Sequence, residues 1–398
     1  MTRLVFLGCF AYLVVGLGQL VIGAVMEPMI HAYGVQYSDG GQLVMHQFLG
    51  GMTGMLLTPW LIRKFGKKAV LLTVIGITIA AEAVYVMLPP WTIMLAIAPL
   101  AGFGLGTTES VVGSFIIGST GKNANVAMSR VEVFFGIGAL LMPFAGALLI
   151  AAGYWRMTFG IVGLLAVGAL LLWVFYWPTL LDQPSEDSGS HDDAAPAVTA
   201  GGSRRYLPVL MAGIAFFALY VGLEMSFIHY LPSILVGSNG LSESSATLAL
   251  SLFWGAMVLG RLVAGQMADR FGGAAYLLLV CAVTAVLFSV MGLLTGAAAT
   301  FILTFGTGLF MSGMFAIALV FTNRAIPGQT ERTTSLLMAA GGIGGALVPK
   351  ATGWFMDDFG PEATRWLFTG CALLLFLVMI AAAAAARSKK PAARPAAA

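Results

Sequence analysis

Apolar runs of roughly 20 residues recur twelve times along the chain, each closed by Gly, Pro or a charged residue. A run of that length is what an α-helix needs to cross about 30 Å of hydrocarbon. The runs lie near 5–32, 40–62, 69–88, 92–118, 129–151, 157–177, 206–236, 245–268, 273–294, 298–322, 334–356 and 365–386. None alternates apolar with polar residues as a membrane barrel strand must, so each is read as a helix. The first run is too long for a signal-peptide core and is read as a span.

Composition points the same way. Of the 398 residues only 9% are charged and 59% are hydrophobic, whereas a soluble domain carries roughly 25% charged residues. The bilayer has to act as solvent. A net charge of +3 leaves no footprint of a nucleic-acid binder. The three cysteines, Cys9, Cys281 and Cys371, sit in apolar runs and imply no disulfide framework. Neither HExxH nor GxSxG nor a cysteine–histidine cluster is present, so no enzyme centre, metal or cofactor is expected.

With the N-terminus placed in the cytoplasm, the inner loops, tails and inner helix ends hold 17 of the 20 Lys and Arg residues. The outer side holds only Arg156 and Arg365. The positive-inside rule therefore predicts a multi-pass protein of the cell membrane with both termini cytoplasmic. Residues 178–205 switch to a polar, acidic composition and read as a cytoplasmic linker, and 387–398 read as a disordered basic tail. The linker separates an N-terminal half, 1–177, from a C-terminal half, 206–386. Phe65-Gly66 precedes Phe271-Gly272 by 206 positions, and GIGALLMP from Gly136 matches GIGGALVP from Gly342 at the same offset. Pro28 and Pro232 pair at 204. A duplicated six-span unit marks a transporter whose halves rock about a central site. The fold expected is an all-α membrane protein of twelve transmembrane helices in two pseudo-symmetric six-helix halves, with a monomer as the working unit.

After the eighth run stands GQMADRFG, Gly265 to Gly272, with Gly260-Arg261 just before it. This resembles the cytoplasmic signature of the major facilitator superfamily. The resemblance implies that Asp269 accepts bonds from the amides at the end of a facing helix and holds an inner gate shut. The first-half copy, LIRKFGKK, has Arg63 at the acidic position, and Glu331 is the acid expected to meet it. Arg130, Arg261 and Arg270 are expected around Glu132 as further gate ion pairs. Three segments, GFGLGTTESVVGSF from Gly102, SRVEVFFGIGAL from Ser129 and ALYVGLEMSFIHYLPSIL from Ala218, are similar to glucose-type members of the fucose, galactose and glucose proton symporters. That resemblance implies that Glu109, in its Glu-Ser pair, takes part in proton coupling. The second acid of some members would fall on Ala24, and here Glu27 stands three residues later.

Glutamates within the spans are Glu27, Glu82, Glu109, Glu132 and Glu224. An ionised acid at the bilayer centre costs roughly 2.5–3.5 kcal/mol even on lenient scales, so each needs a reason. Glu109 reads as a proton carrier or a neutral packing acid. Glu224 reads as a second proton site or an acceptor for substrate hydroxyls, and Glu27 as a coupling residue or an outer-rim acid. No role is assigned to Glu82. Lys350, alone among the lysines in lying within a span, reads as a salt-bridge or snorkelling residue or as an anchor for an anionic substrate. Sugars are bound by amides, carboxylates and imidazoles with an aromatic ring beneath, and Gln47, His46, Trp254 and His229 supply those groups. The reading is proton-coupled uptake of a monosaccharide by alternating access, with the lipid bilayer, protons and a small molecule as partners. Proton-driven efflux on the same fold is the alternative.

Overall fold

The structure, a computed structural model, describes residues 2–120, 124–182, 200–294, 296–326 and 330–387. Most of the expected linker and all of the tail after Arg387 lie outside the described residues. The helices are α1 (Thr2–Ala24), α2 (Met26–Tyr33), α3 (Tyr37–Phe65), α4 (Lys67–Val86), α5 (Trp91–Thr120), α6 (Ala124–Ala151), α7 (Met157–Phe175), α8 (Ala200–Asn239), α9 (Glu243–Phe271), α10 (Gly273–Leu293), α11 (Ala297–Met311), α12 (Met314–Ala325) and α13 (Thr330–Arg387). Together they make twelve spans. α1 and α2 share the first and α11 and α12 the tenth, while α13 holds the last two, parted at Gly360 with φ 81°. Among the described residues, ten helical segments are long and apolar enough to cross a membrane, counting α13 once. The remaining span, α3, is the polar one, with Ser38, Asp39, His46 and Gln47 along its 29 residues.

The internal repeat is written in the backbone. Gly34 and Gly240 have positive φ and stand 206 residues apart, as do Gly66 and Gly272, while Gly153 and Gly360 stand 207 apart. Each pair marks the same helix connection in the two sets of six spans, where the left-handed conformation excludes most side chains. Elsewhere glycine serves close packing, as expected for helices in lipid. Gly102 and Gly106 of α5 lie on the α3 backbone at Gln47 and Gly51, and Gly104 faces Val74 and Thr78 of α4. The GIG repeats behave alike: Gly138 rests on the Leu13 carbonyl of α1, and Gly344 on the Ala218 carbonyl of α8.

Proline explains the break in the first span. Pro28 cannot donate to the Ala24 carbonyl, and the helix parts at Val25. The freed carbonyl accepts the Thr247 hydroxyl of α9 at 3.2 Å. Pro99 likewise frees the Leu95 carbonyl of α5, which accepts His46 Nδ1 of α3 at 3.0 Å.

Substitution Gly106→Leu is expected to destabilise by about 1–3 kcal/mol, the usual cost of overpacking. Gly76, with open space around it, supplies the control Gly76→Leu. Thermal unfolding in detergent should show a clear loss for the first variant and little change for the second.

Candidate functional site

Both ends of the described chain, at Thr2 and Arg387, lie on one face of the bundle, here the termini face. The two sets of six spans meet along α3 with α13, α6 with α9, and α1 and α2 with α8. Several hydrogen bonds join the two sets at the opposite face. Asp357 of α13 accepts from the first two amides of α3, Tyr37 N and Ser38 N, each at 2.8 Å. Lys350 Nζ donates to the Ser38 carbonyl at 2.8 Å, and the Tyr230 hydroxyl to the Tyr37 carbonyl at 2.9 Å. A carboxylate on the positive end of a 29-residue helix is a charge-assisted contact. Nearby, His31 lies 2.9 Å from Glu243 of α9 and 3.5 Å from Glu27. Glu27 is buried and accepts the Tyr37 hydroxyl at 3.0 Å. Lower in the same seam, Ser244 and Ser251 of α9 donate to the Ala147 and Leu140 carbonyls of α6.

Towards the termini face the picture changes. Gly342 meets Met52, and Gly136 meets Val258. Beyond that level Arg63, Arg130, Glu132, Arg261, Asp269 and Arg270 are all exposed. Among the described residues none of these six forms an ion pair, since the ion pairs present belong to His31. The start of α6, which Asp269 is expected to face, includes residues outside the described ones. The side chain of Glu331, expected to meet Arg63, lies outside the described residues.

Between the closed and open faces lies a polar layer. Glu109, near the middle of α5, is partly exposed and accepts Gln19 Nε2 of α1 at 3.2 Å. Tyr12 donates to the Glu109 backbone carbonyl at 3.2 Å. Gln47 is buried and donates to the Gly18 carbonyl at 3.2 Å, so its amide joins α3 to α1. Across the cleft Glu224 is buried within reach of the Tyr220 hydroxyl and within electrostatic range of Arg261. Arg261 acts also on Glu132. Trp254 sits edge-on to Phe135 of α6, with ring centroids 6.2 Å apart, and its buried Nε1 has no hydrogen-bond partner.

The other expected binding groups are turned elsewhere. His46 serves the Leu95 carbonyl, His229 is buried with Nδ1 on the Met225 carbonyl of its own helix at 2.7 Å, and Lys350 belongs to the opposite-face clasp. Glu82 is buried on α4 beside Gly163 of α7, away from the cleft. Gln19 is a functional candidate that the sequence motifs do not mark, and Asp357, towards which Lys350 could have snorkelled, caps α3 instead. An amide inside an apolar run was the available signal for Gln19.

Twelve spans in two related sets, hydrogen-bonded to each other at one face and holding carboxyls and amides between them, define a secondary transporter. The chain belongs to the Major Facilitator Superfamily, whose sequence profile matches residues 8–237 and 226–398. It is a transporter and not an enzyme. It is 27% identical over 371 residues to the glucose/mannose transporter GlcP of Bacillus subtilis, covering 92% of this chain and 90% of that one. Protein TsgA of Shigella dysenteriae is 21% identical over 392 residues, covering 94% and 93%. Among solved structures, a D-xylose-proton symporter superposes with a TM-score of 0.75 at 15% identity, covering 95% of this chain and 97% of that one. The nucleoside transporter NupG superposes with a TM-score of 0.74 at 13% identity, covering 96% and 98%.

Asp357→Ala removes two hydrogen bonds to a charged acceptor, worth about 1.5–3 kcal/mol each. The variant is expected to raise the population open at the opposite face by at least about tenfold. Spin-label distances between the first turns of α5 and α11 would report it as a longer component.

Proposed function

We propose that the protein takes up a monosaccharide together with a proton, with the termini face in the cytoplasm and the described conformation open inward. The observation that carries the proton half is Glu109. Its carboxyl stands partly exposed in the cleft, with an uncharged amide as its hydrogen-bonded side-chain partner and no cation within ion-pair distance among the described residues. An acid so placed is neutral when it carries a proton through the membrane interior and ionised when the cleft admits water. One charge moving down 100 mV supplies about 2.3 kcal/mol, enough for roughly 40-fold accumulation.

The sugar half rests on the likeness to the glucose/mannose transporter of Bacillus subtilis and on the chemistry between the halves. Trp254 offers a ring and an unengaged N–H, and Glu224 offers a carboxyl, while the Tyr220 hydroxyl donates to the Met311 carbonyl at 3.2 Å. Gln47, His46, His229 and Lys350 act in this reading as structural neighbours of the site. In the outward-facing state the halves rock, the Asp357 clasp opens, and Asp269 takes up the corresponding helix-end contact inside, with Arg261, Arg270, Glu132, Arg130 and Arg63 around it.

Proteoliposomes loaded with a pH gradient test both halves. Labelled glucose and mannose should accumulate, while nucleosides and cationic drugs should not. In Glu109→Gln, gradient-driven accumulation should fall to the level of passive equilibration, because Gln cannot lose a proton, whereas exchange of labelled for unlabelled sugar persists. Full accumulation in this variant would move the proton site elsewhere, with Glu224 and Glu27 next in line.

A further inference from the structure

We propose that Gln19 is a positioning residue for proton release: its amide holds the ionised form of Glu109 and so sets the pH at which the empty carrier resets. The inference rests on the reading of Glu109 as the proton carrier and goes beyond it by naming the group that lets the proton leave.

The geometry is local and braced. Gln19 and Glu109 are both partly exposed to the cleft, and Nε2 of the one lies 3.2 Å from Oε2 of the other. Their helices are tied together on either side of this contact. Tyr12, two turns earlier on α1, donates to the Glu109 main-chain carbonyl, and the Gly18 carbonyl next to Gln19 receives Gln47 from α3. Close packing keeps the register, since Gly18 rests on Leu105 of α5. Gln19 is thus presented to Glu109 by the fold.

Few other groups can do the same. From α1, Tyr12 faces Glu109, but its hydroxyl is engaged by the main chain. From α6, Glu132 lies within electrostatic range and, when ionised, opposes a second negative charge. From α3 and α4 the titratable groups within the spans are His46, bound to the Leu95 carbonyl, Glu82, set against Gly163 of α7, and Tyr85, packed on Phe159 of α7. The Gln19 amide is therefore the donor that meets the carboxylate. A carboxylate only accepts, and an amide N–H offers it a hydrogen bond that favours the charged form. When Glu109 gives its proton to water in the open cleft, the N–H of Gln19 takes over part of the stabilisation.

Replacing the amide by a side chain of similar length without a donor, Gln19→Met, should make release harder. Net uptake driven by a pH gradient should fall about tenfold with the interior at pH 7, and return when the interior is raised by about one pH unit, the shift that loss of one hydrogen bond to a charged group supports. Sugar exchange should persist, which also reports a folded carrier. Gln19→Glu is the second variant. Two adjacent acids cannot both ionise readily, so it too should need a more alkaline interior. A variant of either kind that exchanges sugar and shows the wild-type dependence on internal pH overturns the proposal, as does a loss of uptake that no internal pH restores. Glu109→Gln run in parallel separates the two readings. If that variant still accumulates sugar, the proton site is misplaced; if it is uncoupled while Gln19→Met is unaltered, only the role of Gln19 fails.

Discussion

In hydrocarbon there is no water to satisfy a backbone group, and each one left open costs several kcal/mol. That constraint makes every span a helix, and it turns each proline within a span into a demand on a neighbour. Pro99 leaves the Leu95 carbonyl open and His46 fills it; Pro28 leaves the Ala24 carbonyl open and Thr247 fills it. The second of these bonds crosses from one set of six spans to the other. A break in the first helix has become part of the contact on which the closed face depends.

The two faces differ in what holds them. At the opposite face a carboxylate caps a helix end, a lysine takes the adjoining carbonyl, and hydroxyls thread the seam between α6 and α9. At the termini face Arg63, Arg130, Glu132, Arg261, Asp269 and Arg270 are exposed. Asp357 and Asp269 are acids of the same kind on opposite faces of the second set of spans.

Three ionisable groups inside the bundle have a hydrogen-bond partner, whereas buried Glu82 leaves Oε2 without one. Glu109 has Gln19, Glu224 has Tyr220, and Arg365 is buried but donates to Ser238 and Asn239, each at 2.6 Å. Lys350 is directed outward to Ser38, away from Glu224. Between the halves Gln19 and Glu109 are partly exposed, while Glu224, Tyr220, Gln47 and Trp254 are buried.

The twelve spans, their helical nature and the duplication were legible in the sequence because bilayer thickness sets run length and because Gly66 and Gly272 recur where the chain must turn the same way. Glu109 could be singled out for the same reason, since an acid in an apolar run is costly wherever it points. Direction was not legible. His46, Gln47 and Lys350 have the chemistry of ligands, yet a helix turns about 100° per residue, and packing aimed them at Leu95, Gly18 and Ser38. Only the tertiary structure could bring Gln19 to Glu109, 90 residues away, and Asp357 to the end of α3. Hydropathy acts on each helix alone, whereas those contacts depend on which faces the glycines allow to meet.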